Sequence, residues 1–145
     1  MCYSIVVGNR KTMIRLTTIL LILTSLISCS EIKTTDQEEV YKYWSGSATP
    51  ADLELLEGQF WQSSHWAREY IMFLKLKPTE EWWVAFLDQN QLQIDDQWIR
   101  PSNAPEWFTP TAESVMYSSG DTFDQGSRYF KDTLTNECYI YEIQL

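Results

Sequence analysis

Tyr70-Ile71-Met72-Phe73-Leu74-Lys75-Leu76-Lys77-Pro78, followed at once by Thr79-Glu80-Glu81-Trp82-Trp83, is the stretch that decides the fold class. Tyr70, Met72, Leu74 and Leu76 alternate with Ile71, Phe73, Lys75 and Lys77, the two-residue period of a strand. Pro78 lacks the N–H of a further ladder rung and ends it. Thr79-Glu80-Glu81 then opens a helix, with acids near the positive end of its dipole. Trp82, Trp83, Phe86 and Leu87 form one apolar stripe along that helix, and Asn90 closes it.

Towards the C-terminus, Leu92-Gln93-Ile94 and the neighbourhood of Trp98 read as a short hairpin or edge strand. Residues 101–110 carry prolines at 101, 105 and 110 around Trp107-Phe108, which excludes both a helix and a central strand. An ordered crossing whose two aromatics plug the core is expected there. Val115-Met116-Tyr117 gives another strand, and a turn runs from Gly120 to Gly126. Ser127 to Lys131 and Cys138 to Leu145 then pair as a hairpin closed by Asp132 to Glu137. The last strand alternates Tyr139, Tyr141, Ile143 and Leu145 against Cys138, Ile140, Glu142 and Gln144.

Towards the N-terminus, Thr49-Pro50-Ala51-Asp52 has the capping residue, first-turn proline and early acid of a helix start. With Gly58 as a stop, a short helix is expected near residues 51–57. Tyr41, Tyr43 and Trp44 mark the beginning of the domain, and the polar residues 30–40 read as a tether. Ten such residues, fully extended, reach about 35 Å. The pattern as a whole predicts a small single α+β domain over residues 41–145, mainly antiparallel sheet with one or two short helices. No internal repeat or low-complexity tract is evident.

The N-terminus carries a different message. Arg10, Lys11 and Arg15 precede an apolar run from Leu16 to Ile27, no acid occurs before Glu31, and Leu26-Ile27-Ser28-Cys29 follows. A twelve-residue run at about 1.5 Å per residue reaches about 18 Å, short of the bilayer core of about 30 Å. This stretch resembles a bacterial lipoprotein signal peptide with its lipobox. The resemblance covers the first fifth of the chain. It implies removal of residues 1–28, a diacylglycerol on the sulfur of Cys29, acylation of the new amine, and a lipidated tether over residues 29–40. Two or three acyl chains, at about 0.8 kcal/mol per buried methylene, retain a protein where one does not. Ser30 in place of Asp leans the expected destination towards the outer membrane of a Gram-negative host. Met13-Ile14-Arg15 is itself a compact basic start, so Met13 is an alternative initiator, which would make Cys2 an artefact.

Twenty acids against eleven bases give the 145 residues a net charge of −9. Residues 1–28 hold three of those bases and none of the acids, so the remaining 117 carry eight bases against twenty acids, or −12. That charge argues against nucleic acid or anionic headgroups as partners. Beyond Cys29 the one remaining cysteine is Cys138, so no intrachain disulfide is expected. Its strand context reads as a small buried hydrophobe. Seven Trp, eight Tyr and six Phe supply the packing area instead.

Reactive constellations are sparse. His65 is the single histidine, and a triad with Ser63 or Ser64 lacks the exposed elbow that presents a serine nucleophile. One His and one free Cys do not make a zinc site. Asp121, Asp124, Gly126 and Asp132 echo a calcium loop, but Phe123 and Gln125 stand where ligands belong, so an acidic turn is expected. Asp95-Asp96 and Glu80-Glu81 diverge on any strand or helix, unlike a glycosidase pair. The remaining ligand-contact candidates are His65, the aromatics Trp66 and Trp107, and the scarce cations Arg68 and Arg128, each beside an aromatic ring. No cofactor is implied. The reading that emerges is a membrane-tethered envelope lipoprotein acting as a non-catalytic protein-interaction module. The alternatives are a glycan-binding lipoprotein using exposed tryptophans, or a small envelope hydrolase.

Overall fold

The structure, a computed structural model, describes residues 30–120 and 124–145. The lipobox and Cys29 therefore lie outside the described residues, as do Asp121 and Phe123. The chain divides after Ser30 into two units, and every strand and helix described belongs to the second, Glu31–Leu145. No described helix is long and apolar enough to cross a membrane.

Among the described residues, seven strands and two helices follow in the order β1 (Ile32–Thr34), α1 (Gln37–Ser45), β2 (Leu53–Gln62), β3 (Tyr70–Pro78), α2 (Glu80–Gln89), β4 (Gln93–Asp95), β5 (Ser114–Ser118), β6 (Arg128–Asp132) and β7 (Cys138–Gln144). They build the expected α+β domain around one antiparallel sheet of order β1-β2-β3-β7-β6-β5-β4. Two meanders meet at the centre, where β3 pairs with β7 from Tyr70↔Gln144 to Leu76↔Cys138. Helix α2 carries the chain from β3 at the centre to β4 at the far edge.

Two expectations give way to the structure. The tether over 29–40 is folded from Ile32 onward. Asp36 caps α1 by accepting from the N–H groups of Glu38 and Glu39, both at 3.0 Å. Gly46, at φ +71°, ends the helix with its N–H on the Lys42 carbonyl. The acids that resembled a solvated linker are the exposed face of an amphipathic helix whose other side buries Val40 and Tyr41. The helix expected near 51–57 is also absent, because Leu53 begins β2 and pairs with Pro78. Pairing with β3 overrides the helix propensity of its Leu and Glu residues. Gly58 is not a stop. A Cβ there would lie 2.9 Å from Gln37 Cα and 3.0 Å from Val40 Cγ2, so the glycine lets α1 rest on the strand.

Both helices cover one face of the sheet, where Val40, Tyr41 and Trp83 close over Met72, Leu74, Leu76, Cys138 and Ile140. On the other face the proline-bearing crossing seats Phe108, fully buried, against Phe73, Phe130 and Tyr139. Arg100 holds that crossing by donating to the carbonyls of Ala104 (3.1 Å), Pro105 (2.7 Å) and Phe108 (3.3 Å). With both faces covered, β7 is buried at four consecutive residues, Cys138 to Tyr141. Its alternation marks which layer each side chain enters rather than inside from outside.

Candidate functional site

Where the two helices part above the sheet, they leave an open cleft of about 620 Å³. Its walls follow from helical spacing. Tyr41 and Trp44, three apart, come from α1, and Trp82 and Phe86, four apart, come from α2. Trp44 meets Phe86 at 5.8 Å between ring centroids and 60° between planes, which joins the walls. Trp82 stacks on Phe86 at 5.2 Å and 8°, and Tyr41 packs edge-on to Trp44 at 5.7 Å.

The floor comes from the sheet. Strand parity places Cys138, Ile140 and Glu142 of β7 on the helix side, Tyr70 on the same side of β3, and Tyr129 on that side of β6. Glu142 follows the buried series into the cleft. Its Oε2 accepts from the Tyr70 hydroxyl at 2.9 Å and its Oε1 from the Tyr129 hydroxyl at 2.8 Å. Burial, and after it the nearby Glu142 charge, pushes both phenols far above their ordinary titration range, so they remain donors. Tyr70 also borders two adjoining hollows, one of about 390 Å³ beside Trp44 and Arg68 and one of about 290 Å³ beside Tyr129 and Gln125.

Among the described lining residues Glu142 is the one acid, and no Lys, Arg or His stands with it. Ser45 is engaged, its hydroxyl donating to the Tyr41 carbonyl at 2.8 Å. The cleft thus offers aromatic surface and a held carboxylate, without a nucleophile paired to a base.

The residues singled out in the sequence do not converge on this cleft. His65, Trp66 and Arg68 share the exposed loop between β2 and β3, with Trp66 93% exposed and Arg68 at φ +50°. The Ser63 hydroxyl is buried and without a hydrogen-bond partner, so it makes no bond to His65. Trp107 sits on the opposite face of the sheet, edge-on to Phe108 at 5.9 Å. Arg128 is consumed inside the fold. It pairs with Asp124 at 2.5 Å and Asp95 at 3.4 Å and donates to the carbonyls of Gln97 and Ser127.

Asp124 and Asp132, the described acids of the expected acidic turn, are engaged by backbone N–H groups. Asp124 accepts from the N–H groups of Gly126 and Ser127, and Asp132 accepts from Leu134 and Thr135. The Thr111 hydroxyl, followed by those Thr135 and Leu134 N–H groups, holds the Asp132 carboxyl down to about 2. Glu80 pairs with Lys131. Among the described residues no group of three or more His, Cys, Asp or Glu side chains is placed to hold a metal ion. Burial pushes the Cys138 thiol well above its ordinary range, which fits a packing role.

The residues of the cleft escape sequence reasoning because they look like core. One signal is present: Glu142 is an acid in the same register as the apolar Cys138 and Ile140. Comparison with known proteins finds no matching family model, no matching curated protein and no matching solved structure.

Proposed function

We propose that this protein is a non-catalytic binding module of the bacterial cell envelope, held to the membrane by lipid on Cys29, and that the cleft between α1 and α2 receives its protein partner. The observation that carries the reading is the Glu142 carboxylate, held between two tyrosine hydroxyls beneath aromatic walls with no nucleophile–base pair beside it. Such an arrangement orients and retains a ligand without a group poised to attack it. The lipobox-like Leu26-Ile27-Ser28-Cys29 supports the anchor, and Ser30 supports the outer membrane of a Gram-negative host.

A photo-crosslinking residue introduced at Ala85, on the exposed rim of the cleft, tests the reading in cells. A discrete protein adduct is expected from that position. It should disappear in a Cys29→Ser version and be absent when the crosslinker replaces the exposed Leu134. Equal labelling from both positions would refute the cleft as the binding site. Turnover of an envelope substrate by the purified protein, abolished by one point substitution, would refute the non-catalytic assignment. Glycan binding is the second reading, and Trp66 is the observation behind it, an almost fully exposed ring on the β2–β3 loop.

A further inference from the structure

Building on the proposed role of the cleft, we infer that it recognises a lysine side chain presented by the protein partner, with the ammonium seated on Glu142 and the aliphatic stem along the aromatic walls. Charge is the first reason. The chain carries −9, and the cleft's one acid has no basic residue among the described residues lining it. A partly buried carboxylate gains most from a ligand that brings the opposite charge. An anionic ligand is repelled, and a neutral one leaves the charge uncompensated.

The hydrogen bonds then select among cations. Each Glu142 oxygen already accepts one bond, from Tyr70 on one side and Tyr129 on the other. An arginine fork needs both oxygens along one edge and would compete with those two donors. An ammonium is a compact charge that can approach the lone pairs left free. The walls fit the rest of the side chain. Trp44, Trp82 and Phe86 offer faces and edges on which methylenes pack and over which a cation is attracted. A cleft of about 620 Å³ exceeds what a bare ammonium ion fills, so the stem and neighbouring backbone have room.

The test uses the full chain in a neutral detergent and follows tryptophan indole N–H signals by NMR. The probe is acetyl-Gly-Ser-Lys-Ser-Gly-amide, run beside counterparts in which the lysine is replaced by norleucine or by arginine. Saturable shifts with the lysine peptide are expected, at least tenfold weaker with norleucine and weaker with arginine. Glu142→Gln should lose at least tenfold in affinity, whereas Trp66→Ala should bind as the parent does. The norleucine comparison needs no variant and so stands even if Glu142→Gln folds poorly. Equal binding of the lysine and norleucine peptides would overturn the inference, as would an unchanged affinity in folded Glu142→Gln. Saturation by a neutral oligosaccharide with no response to the lysine peptide would overturn it in favour of a glycan. If the peptide fails while the Ala85 crosslink still captures a partner, lysine recognition falls and the cleft reading survives. If both fail, both fall.

Discussion

Replacing Gly58 by alanine tests the reasoning that seats α1 on the sheet. The new Cβ would lie 2.9 Å from Gln37 Cα and 3.0 and 3.1 Å from Cγ2 and Cβ of Val40. Carbon atoms in contact settle at about 3.5–4.0 Å, so the helix must retreat by about half an ångström or more. One of the three neighbours is helix backbone and cannot rotate aside. Val40 is fully buried, so retreat also loosens its contacts. Overpacking of this kind costs about 1–3 kcal/mol. Reduced freedom of the unfolded chain offsets about 0.4–1 kcal/mol of that. The net loss is about 1–2 kcal/mol, or about 4–8 °C in Tm for a domain of this size. Thermal unfolding of the full chain by circular dichroism measures it, with a urea midpoint as the check that the slope is unchanged. Gly58→Val should lose more than Gly58→Ala. A Tm for Gly58→Ala equal to or above the parent's would refute the packing argument. Because α1 also carries Tyr41 and Trp44, the same variant should weaken binding in the cleft.

Deleting Tyr141 to Leu145 removes the partners of Ile71, Met72 and Phe73 at the centre of the sheet; no cooperative melting transition should remain, and a parent-like one would contradict the topology. In acid, Asp132 titrates near 3.8 when unfolded and near 2 when folded, so its stabilisation is complete above about pH 4 and is lost as the pH falls towards about 2. Asp132→Asn should therefore flatten the stability–pH curve in that window, and parallel curves for parent and variant would discount this carboxylate. Tyr129→Phe leaves Glu142 with one phenol donor and should cost about 1–3 kcal/mol in denaturant unfolding, so an unmoved midpoint would count against the network. Trp66→Ala removes a ring that is 93% exposed and should change stability by less than about 0.5 kcal/mol; a larger loss would mean the loop packs against something.

The legible parts of the sequence are those where local signals and long-range packing agree. Tyr70 to Pro78 alternates and is a strand, and Thr79 caps α2 by accepting from the Trp82 N–H. The β6–β7 hairpin and the aromatic plug at Phe108 follow from turn chemistry and proline content in the same way. The misread parts are those where a residue has two physical uses. Gly58 can stop a helix or admit one, and the deciding contact comes from Val40, eighteen positions away in sequence. Asp36 to Glu39 can solvate a linker or cap and coat a helix, and the Gly46 C-cap is the local cue that favours the second. For the site, exposed rings and scarce cations draw attention to Trp66, Arg68 and Arg128. Glu142 is legible only as an acid out of keeping with its strand register.

The sheet order gives that acid its importance. β7 lies between β3 and β6, and those neighbours supply the two tyrosines that hold Glu142. The floor of the cleft is therefore made by the most interior strands, where a shift of one residue in register would turn Glu142 away from the helices and into the opposite layer. Charge and its aim are thus as rigid as the fold itself. The walls are different in kind. They are side chains on two short helices, one of which rests on the sheet through the clearance left by a single glycine. Substitutions at Trp44, Trp82 or Phe86 reshape what fits above the carboxylate, but these rings also pack on the core, and Phe86 meets Tyr129 of the floor at 5.5 Å between centroids. A change on β7 that removes Glu142 from its register must alter binding and stability together. Comparing affinity with Tm in conservative wall variants such as Trp82→Phe and in floor variants on β7 is how the division of labour between helices and sheet becomes measurable.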